Sequence, residues 1–205
     1  SNKKMLGSYS FSDAIKSNKI KTKLIKELTK NIKKYDLIII ADYGHSFFDK
    51  DIIDLLNKHK NKIALNVQKN SANIFTHSLS KYKSCDLVVI NENELRSELK
   101  DDVSSIKTLI KKLSQIIKFN KAVITSGEKG CTLFTKNNKA FSAPALSTKV
   151  LDKVGSGDAM LSIISLSKKA GIDPNLCLLF GALGASQSLE AFANENTLDK
   201  NYLIK

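Results

Sequence analysis

DLIIIADYG, residues 36–44, sets four consecutive apolar side chains, Leu37 to Ile40, before an Asp-Tyr-Gly ending. Such a run suits a strand covered on both faces within a parallel sheet. Before it, DAIKSNKIKTKLIKELTKNIKKY (13–35) places Leu24, Ile25, Leu28 and Ile32 at helical spacing with lysines opposite. After it, DKDIIDLLNKH (49–59) reads as a short helix started by Asp49 or Asp51, and KIALNV (62–67) as a second strand. KYKSCDLVVINENELRSEL (81–99) predicts a third strand that ends at Asn91 and turns into a helix. SSIKTLIKKLSQIIKF (104–119) is amphipathic, with Ser104 as its cap. KAVITSGEKGCTLFTKNNKAFSAP (121–144) reads as strand, Gly turn, strand, turn, strand. Two helices follow, separated by GIDP (171–174), a Gly stop and a Pro start. Strands alternating with helices, then a β-meander, predict an α/β layered fold with a mostly parallel central sheet flanked by helices, in one domain over residues 1–205. In such sheets ligands bind at the carboxyl ends of the strands.

Composition narrows the function classes. The 205 residues carry a net charge of +13, which invites a nucleic-acid reading, but Arg96 is the only arginine. Base readout and bidentate phosphate recognition favour arginine. The excess is therefore read as a solvated lysine surface able to steer anionic substrates, with no nucleic-acid partner. No apolar run approaches the roughly 20 residues of a membrane helix, so no membrane partner is expected. Cys85, Cys131 and Cys177 are scattered and match neither a disulfide framework nor a metal spacing, which points to a reducing cytoplasm.

Four short motifs stand at or near predicted strand ends. LDKVGSGDAM (151–160) fails as a dinucleotide fingerprint, because Met160 stands where a glycine or alanine is needed, and it is not a P-loop. It does make sense as an anion hole. Gly155, Ser156 and Gly157 would turn backbone N–H groups inward at a helix start, with Asp158 held ionised in the first turn. A carboxylate beside an anion hole suits a general base acting on a hydroxyl. The plainer reading is an aspartate that starts a helix after a Gly turn. NENE (91–94) spaces Asn91 and Glu94 for one helix face, where they could order water around Mg²⁺; taken alone, a relative of the capping box explains them better. TSGEKG (125–130) could cradle phosphates on its amides or be only a Gly-containing hairpin loop. In ADYG, Asp42 could face substrate or cap the next turn.

Taken in order, Asp42-Tyr43-Gly44, Asn91 with Glu94, Thr125 with Gly127 and Gly130, and Asp152 with Gly155, Gly157 and Asp158 resemble the ribokinase/PfkB family of carbohydrate kinases. ADYGH (41–45) and NVQKNSAN (66–73) are most similar to the sugar-kinase half of bifunctional heptose-phosphate kinase/nucleotidyltransferase proteins. The resemblance covers the chain from about residue 36 onward. It implies a ribokinase-like fold and ATP-dependent phosphoryl transfer to a hydroxyl of a sugar or sugar phosphate. Asp158 would then be the base, with the amides of Gly155, Ser156 and Gly157 stabilising the transferring group. Asn91 and Glu94 would hold Mg²⁺ through water. Thr125, Gly127 and Gly130 would line the nucleotide, with Gly181 and Ala182 at the adenine wall. Asp152 matches a position that helps bind a monovalent cation, and Asp42 would belong to the substrate site.

Two departures accompany the resemblance. Lys153 replaces a frequent threonine after Asp152, and its ammonium could compete with a bound potassium. The strands and lid that carry much of the family's sugar site are not found ahead of residue 11, so the chain is expected to be a C-terminal, nucleotide-binding portion. Exposed sheet edges would then allow a homodimer. The alternative is a non-catalytic kinase-like module that binds nucleotide or serves assembly.

Overall fold

The computed structural model describes residues 17–69, 73, 77–137, 139–147, 149–191, 197–199 and 201. The start of the first predicted helix, most of NVQKNSAN beyond Lys69, and Asn138 of the KNN turn lie outside the described residues.

Six strands form one sheet in chain order: β1 (Ile38–Asp42), β2 (Ile63–Val67), β3 (Leu87–Asn91), β4 (Lys121–Thr125), β5 (Cys131–Thr135) and β6 (Ala140–Ala143). β1 to β4 are parallel, and β5 and β6 add antiparallel, as the alternation followed by a meander predicts. The helices are α1 (Asn18–Asn31), α2 (Lys50–Asn57), α3 (Glu92–Leu99), α4 (Ile106–Ile116), α5 (Ser156–Lys169) and α6 (Pro174–Leu189). Successive parallel strands lie side by side, so right-handed crossovers must put their connecting helices on one face. That face buries Ile52, Leu95, Leu109 and Leu113 against Ile40, Leu65, Val88, Ile90 and Ile124. The other face packs Met160, Leu161 and Ile164 of α5 and Leu178 of α6 against Ala64, Leu87, Val89, Val123 and Leu133. Neighbouring strand residues thus serve opposite cores, which is why β2, β3 and β4 read as unbroken apolar runs.

β1 departs from that pattern. It is an edge strand, and Ile39 is 39% exposed, so the stretch is not covered on both faces as its sequence predicts. Ser105 rather than Ser104 caps α4, accepting from the Thr108 N–H. Asp49 caps α2, and Asp173 caps α6 with Pro174 in the first turn. Among the described residues, no helix is long and apolar enough to cross a membrane. All three cysteines are free and buried, and burial pushes the Cys85 thiol up to about 12 and that of Cys131 up to about 11. Such thiols are poor nucleophiles at neutral pH.

Candidate functional site

Strand parity decides what reaches the site. On β1, Ile40 and Asp42 point to the α2–α4 face, whereas Ala41 joins the α5–α6 face. Asn91 and Thr125 are register partners at the ends of β3 and β4. A cleft of about 940 Å³ opens over these strand ends, lined by Gln68, Asn91, Thr125, Gly157 and Ala182 among others.

The N-terminus of α5 faces this cleft. Gly155 is its N-cap, in the left-handed region at φ 85°, and no side chain caps the first turn. Its uncapped N–H groups and the helix dipole would favour an anion there. Ser156 and Gly157 line the cleft, and a Cβ on Gly157 would meet nothing within 4 Å. The Ser156 hydroxyl is spent on the Lys153 carbonyl, so its contribution is the backbone amide. Asp158, in the same first turn, accepts from the Tyr43 hydroxyl at 2.7 Å on Oδ2 and from the Gln68 amide at 3.3 Å on Oδ1. Tyr43 and Gln68 stand within motifs quoted from the sequence, but neither was given a role there. Both lie one residue past a strand's carboxyl end, the one signal that could have marked them.

Asn91 and Glu94 form a capping box at the start of α3. The Glu94 carboxylate accepts from the Asn91 N–H at 3.1 Å and the Lys69 N–H at 3.2 Å. Burial raises the Glu94 carboxyl above its usual range, and the charge of Asp158 adds to the rise. The capping box is therefore present at these residues. Glu92, between them, ties this turn to the next loop: it accepts from the Ser126 hydroxyl at 2.7 Å and pairs with Arg96. These contacts hold the Glu92 carboxyl low.

The TSGEKG loop turns through a short 3₁₀ segment, Gly127–Lys129. A Cβ on Gly127 would meet open space, whereas the Ser126, Lys129 and Gly130 amides are spent on carbonyls within the loop. Gly130 is required for another reason. Its φ is +84°, and a Cβ there would fall 2.1 Å from the Ala143 carbonyl oxygen.

Asp42 and Gly181 do not stand where the sequence reading put them. Asp42 does not face the cleft. It is 2% exposed, and its carboxylate accepts from Tyr82 Oη at 2.7 Å, Lys81 Nζ at 2.5 Å and the Gly44 N–H at 3.1 Å. The cause is parity: Asp42 shares the inward side of Ile40. Gly181 is not at the cleft wall either. It faces α5, where a Cβ would lie 2.5 Å from Ile164 Cγ1, and it lets the two helices approach. Ala182 does line the cleft. Asp152 accepts from the Val154 N–H, and its neighbour Lys153 lines the cleft. Among the described residues, no three acidic, histidine or cysteine side chains gather to enclose a metal ion.

His77 completes the Asp42 network, donating from Nε2 to the Asp42 carbonyl oxygen at 3.1 Å. Burial holds its imidazole below the usual range, against the opposing pull of Asp42 and Glu98 and with the help of Lys81. The unfolded chain takes up this proton below about pH 6.5 while the folded protein stays neutral, so stability falls as pH drops through that value. The thermal midpoint is expected to decline from pH 7 to pH 5, with a shallower slope in His77→Gln over the same window. Equal slopes would remove His77 from the account.

The pfkB family carbohydrate kinase profile matches residues 11–201. The bifunctional protein HldE of Aliarcobacter butzleri is 29% identical over 88% of this chain, which spans 38% of that relative's length. Arabidopsis thaliana ribokinase complexed with ribose and ATP superposes with a TM-score of 0.71 at 16% identity, over 87% of this chain and 57% of that one. Escherichia coli phosphofructokinase-2 in complex with potassium gives 0.69 at 14% identity, over 88% and 60%. These likenesses establish a ribokinase-like α/β fold, and the family match over most of the chain establishes that the protein belongs to the pfkB family of carbohydrate kinases.

Proposed function

We propose that this chain carries the nucleotide-binding and base-supplying part of an ATP-dependent kinase acting on a hydroxyl of a sugar or sugar phosphate. The observation that carries the reading is the uncapped N-terminus of α5, open to a large cleft, with Asp158 in its first turn. Asp158 takes the proton of the attacking hydroxyl as its oxygen bonds to the γ-phosphorus and the bond to ADP breaks. The amides at Ser156 and Gly157 stabilise charge on the group in flight. Thr125, Gly127 and the loop to Gly130 line the nucleotide, and Ala182 supports its base.

Mg²⁺ fits beside Glu94, where two neighbouring carboxyl groups would share the compensating charge, and it would be held mostly through water and phosphate oxygens. Bound there, it would neutralise phosphate charge. Lys153, exposed at the cleft, supplies a fixed positive charge on the nucleotide side. Asp152 remains the candidate for a monovalent cation.

The expected result is acceptor-dependent ADP release by the full-length protein across a panel of sugars and sugar phosphates. ATP binding in calorimetry without turnover on any member would favour the non-catalytic module instead.

A further inference from the structure

We infer that Tyr43 and Gln68 complete the acceptor subsite by holding Asp158 between them, the Tyr43 phenol keeping the place of the attacking hydroxyl and denying it to water. The inference rests on Asp158 being the base proposed above.

A carboxylate that can deprotonate a sugar hydroxyl beside a bound phosphoryl group can equally deprotonate water. Water would take the phosphoryl group, its proton would pass to Asp158, and ATP would be lost as ADP and phosphate. A kinase must therefore keep water from its base until the acceptor arrives. Both Asp158 oxygens are engaged here. Oδ2 accepts from Tyr43 Oη at 2.7 Å, a normal length for a charge-assisted bond, and Oδ1 accepts from Gln68 Nε2 at 3.3 Å. Burial and the Asp158 carboxylate push the Tyr43 phenol up to about 12, so at neutral pH it stays protonated and can donate this bond.

The backbone beneath the two side chains is fixed. The Asn73 amide donates to the carbonyls of both Tyr43 and Gln68, at 3.0 and 3.1 Å, which ties the ends of β1 and β2 together. Lys69, next along, is locked in a buried ion pair with Glu98 at 2.6 Å. The Tyr43 side chain itself is free to leave, because the residue is 43% exposed. An acceptor hydroxyl can then take Oδ2 by exchanging one O–H···O bond for another, with no repacking. Gln68 keeps Oδ1 and the carboxylate's orientation.

The test needs no knowledge of the acceptor. ADP release by the full-length protein is measured with ATP and magnesium alone. Tyr43→Phe, which keeps the ring, is expected to raise the rate about tenfold, the effect of removing one hydrogen bond to a charged group. Gln68→Ala should give a smaller rise, and Tyr43→Phe combined with Asp158→Asn should return to background. Equal rates in Tyr43→Phe and the parent, including no ADP from either, would overturn the inference. So would labelled phosphate appearing on Tyr43, which would make the phenol an acceptor. A raised rate in Tyr43→Phe that survives the addition of Asp158→Asn would instead defeat the base assignment itself.

Discussion

Asp158→Asn is expected to lower kcat for phosphoryl transfer by about 10²–10⁴-fold, the usual contribution of a general base. The reason lies in what the substitution spares. An asparagine side chain can still accept from Tyr43 and keeps the shape of the first turn of α5, but it cannot receive a proton. The anion site is built of backbone amides at Gly155 to Gly157, so nucleotide affinity should change far less than turnover. Loss of one negative charge from the helix start costs only about 0.3–1 kcal/mol of stability. A fall in kcat with a near-normal thermal midpoint is therefore the signature, measured by initial rates and by thermal unfolding of the same preparation. An unchanged kcat would remove Asp158 from the chemistry, leaving it as a helix-start aspartate that happens to meet Tyr43.

The fold was legible because its signals are local. Apolar runs such as Leu87–Ile90 can be buried on two faces only within a sheet, and the GIDP punctuation between α5 and α6 needs no tertiary information. Ile39 shows the limit of this reading. An edge strand has the same apolar letters as a central one, and its exposure depends on which neighbour stands beside it. Within the site, the glycine-rich helix start was readable because φ and amide access demand those residues. Asn91 and Glu94 were readable only as an ambiguity; the structure shows the capping box, with the Glu94 carboxylate also in the field of Asp158. Tyr43 and Gln68 were given no role because the residue they meet, Asp158, lies 115 and 90 positions away. Spacing along one strand cannot carry that relation. Parity could have corrected one error: with Ile40 inward, Asp42 must also be inward, and Tyr43 takes the other side.

That parity gives the second large effect. Asp42→Ala is expected to cost about 3 kcal/mol of stability, the lower end for breaking a buried ion pair. Lys81 is 27% exposed and can turn its ammonium to water, which limits the loss. Tyr82 cannot escape: it is 1% exposed, its phenol is held far above the usual range by burial and the Asp42 charge, and its hydroxyl would be left without this acceptor. For a chain of this size the thermal midpoint should fall by roughly 6–12 °C. Tyr82→Phe alone should cost about 1 kcal/mol, the net worth of one hydrogen bond. Because both changes break the same contact, the double variant should lose less than the sum of the two. A substrate-binding Asp42 behaves differently. It would leave the thermal midpoint in place, raise the KM for the acceptor, and show additive effects with Tyr82→Phe. The double-variant cycle read by thermal unfolding separates the two, since only a buried anchor couples Asp42 to Tyr82 when no ligand is present.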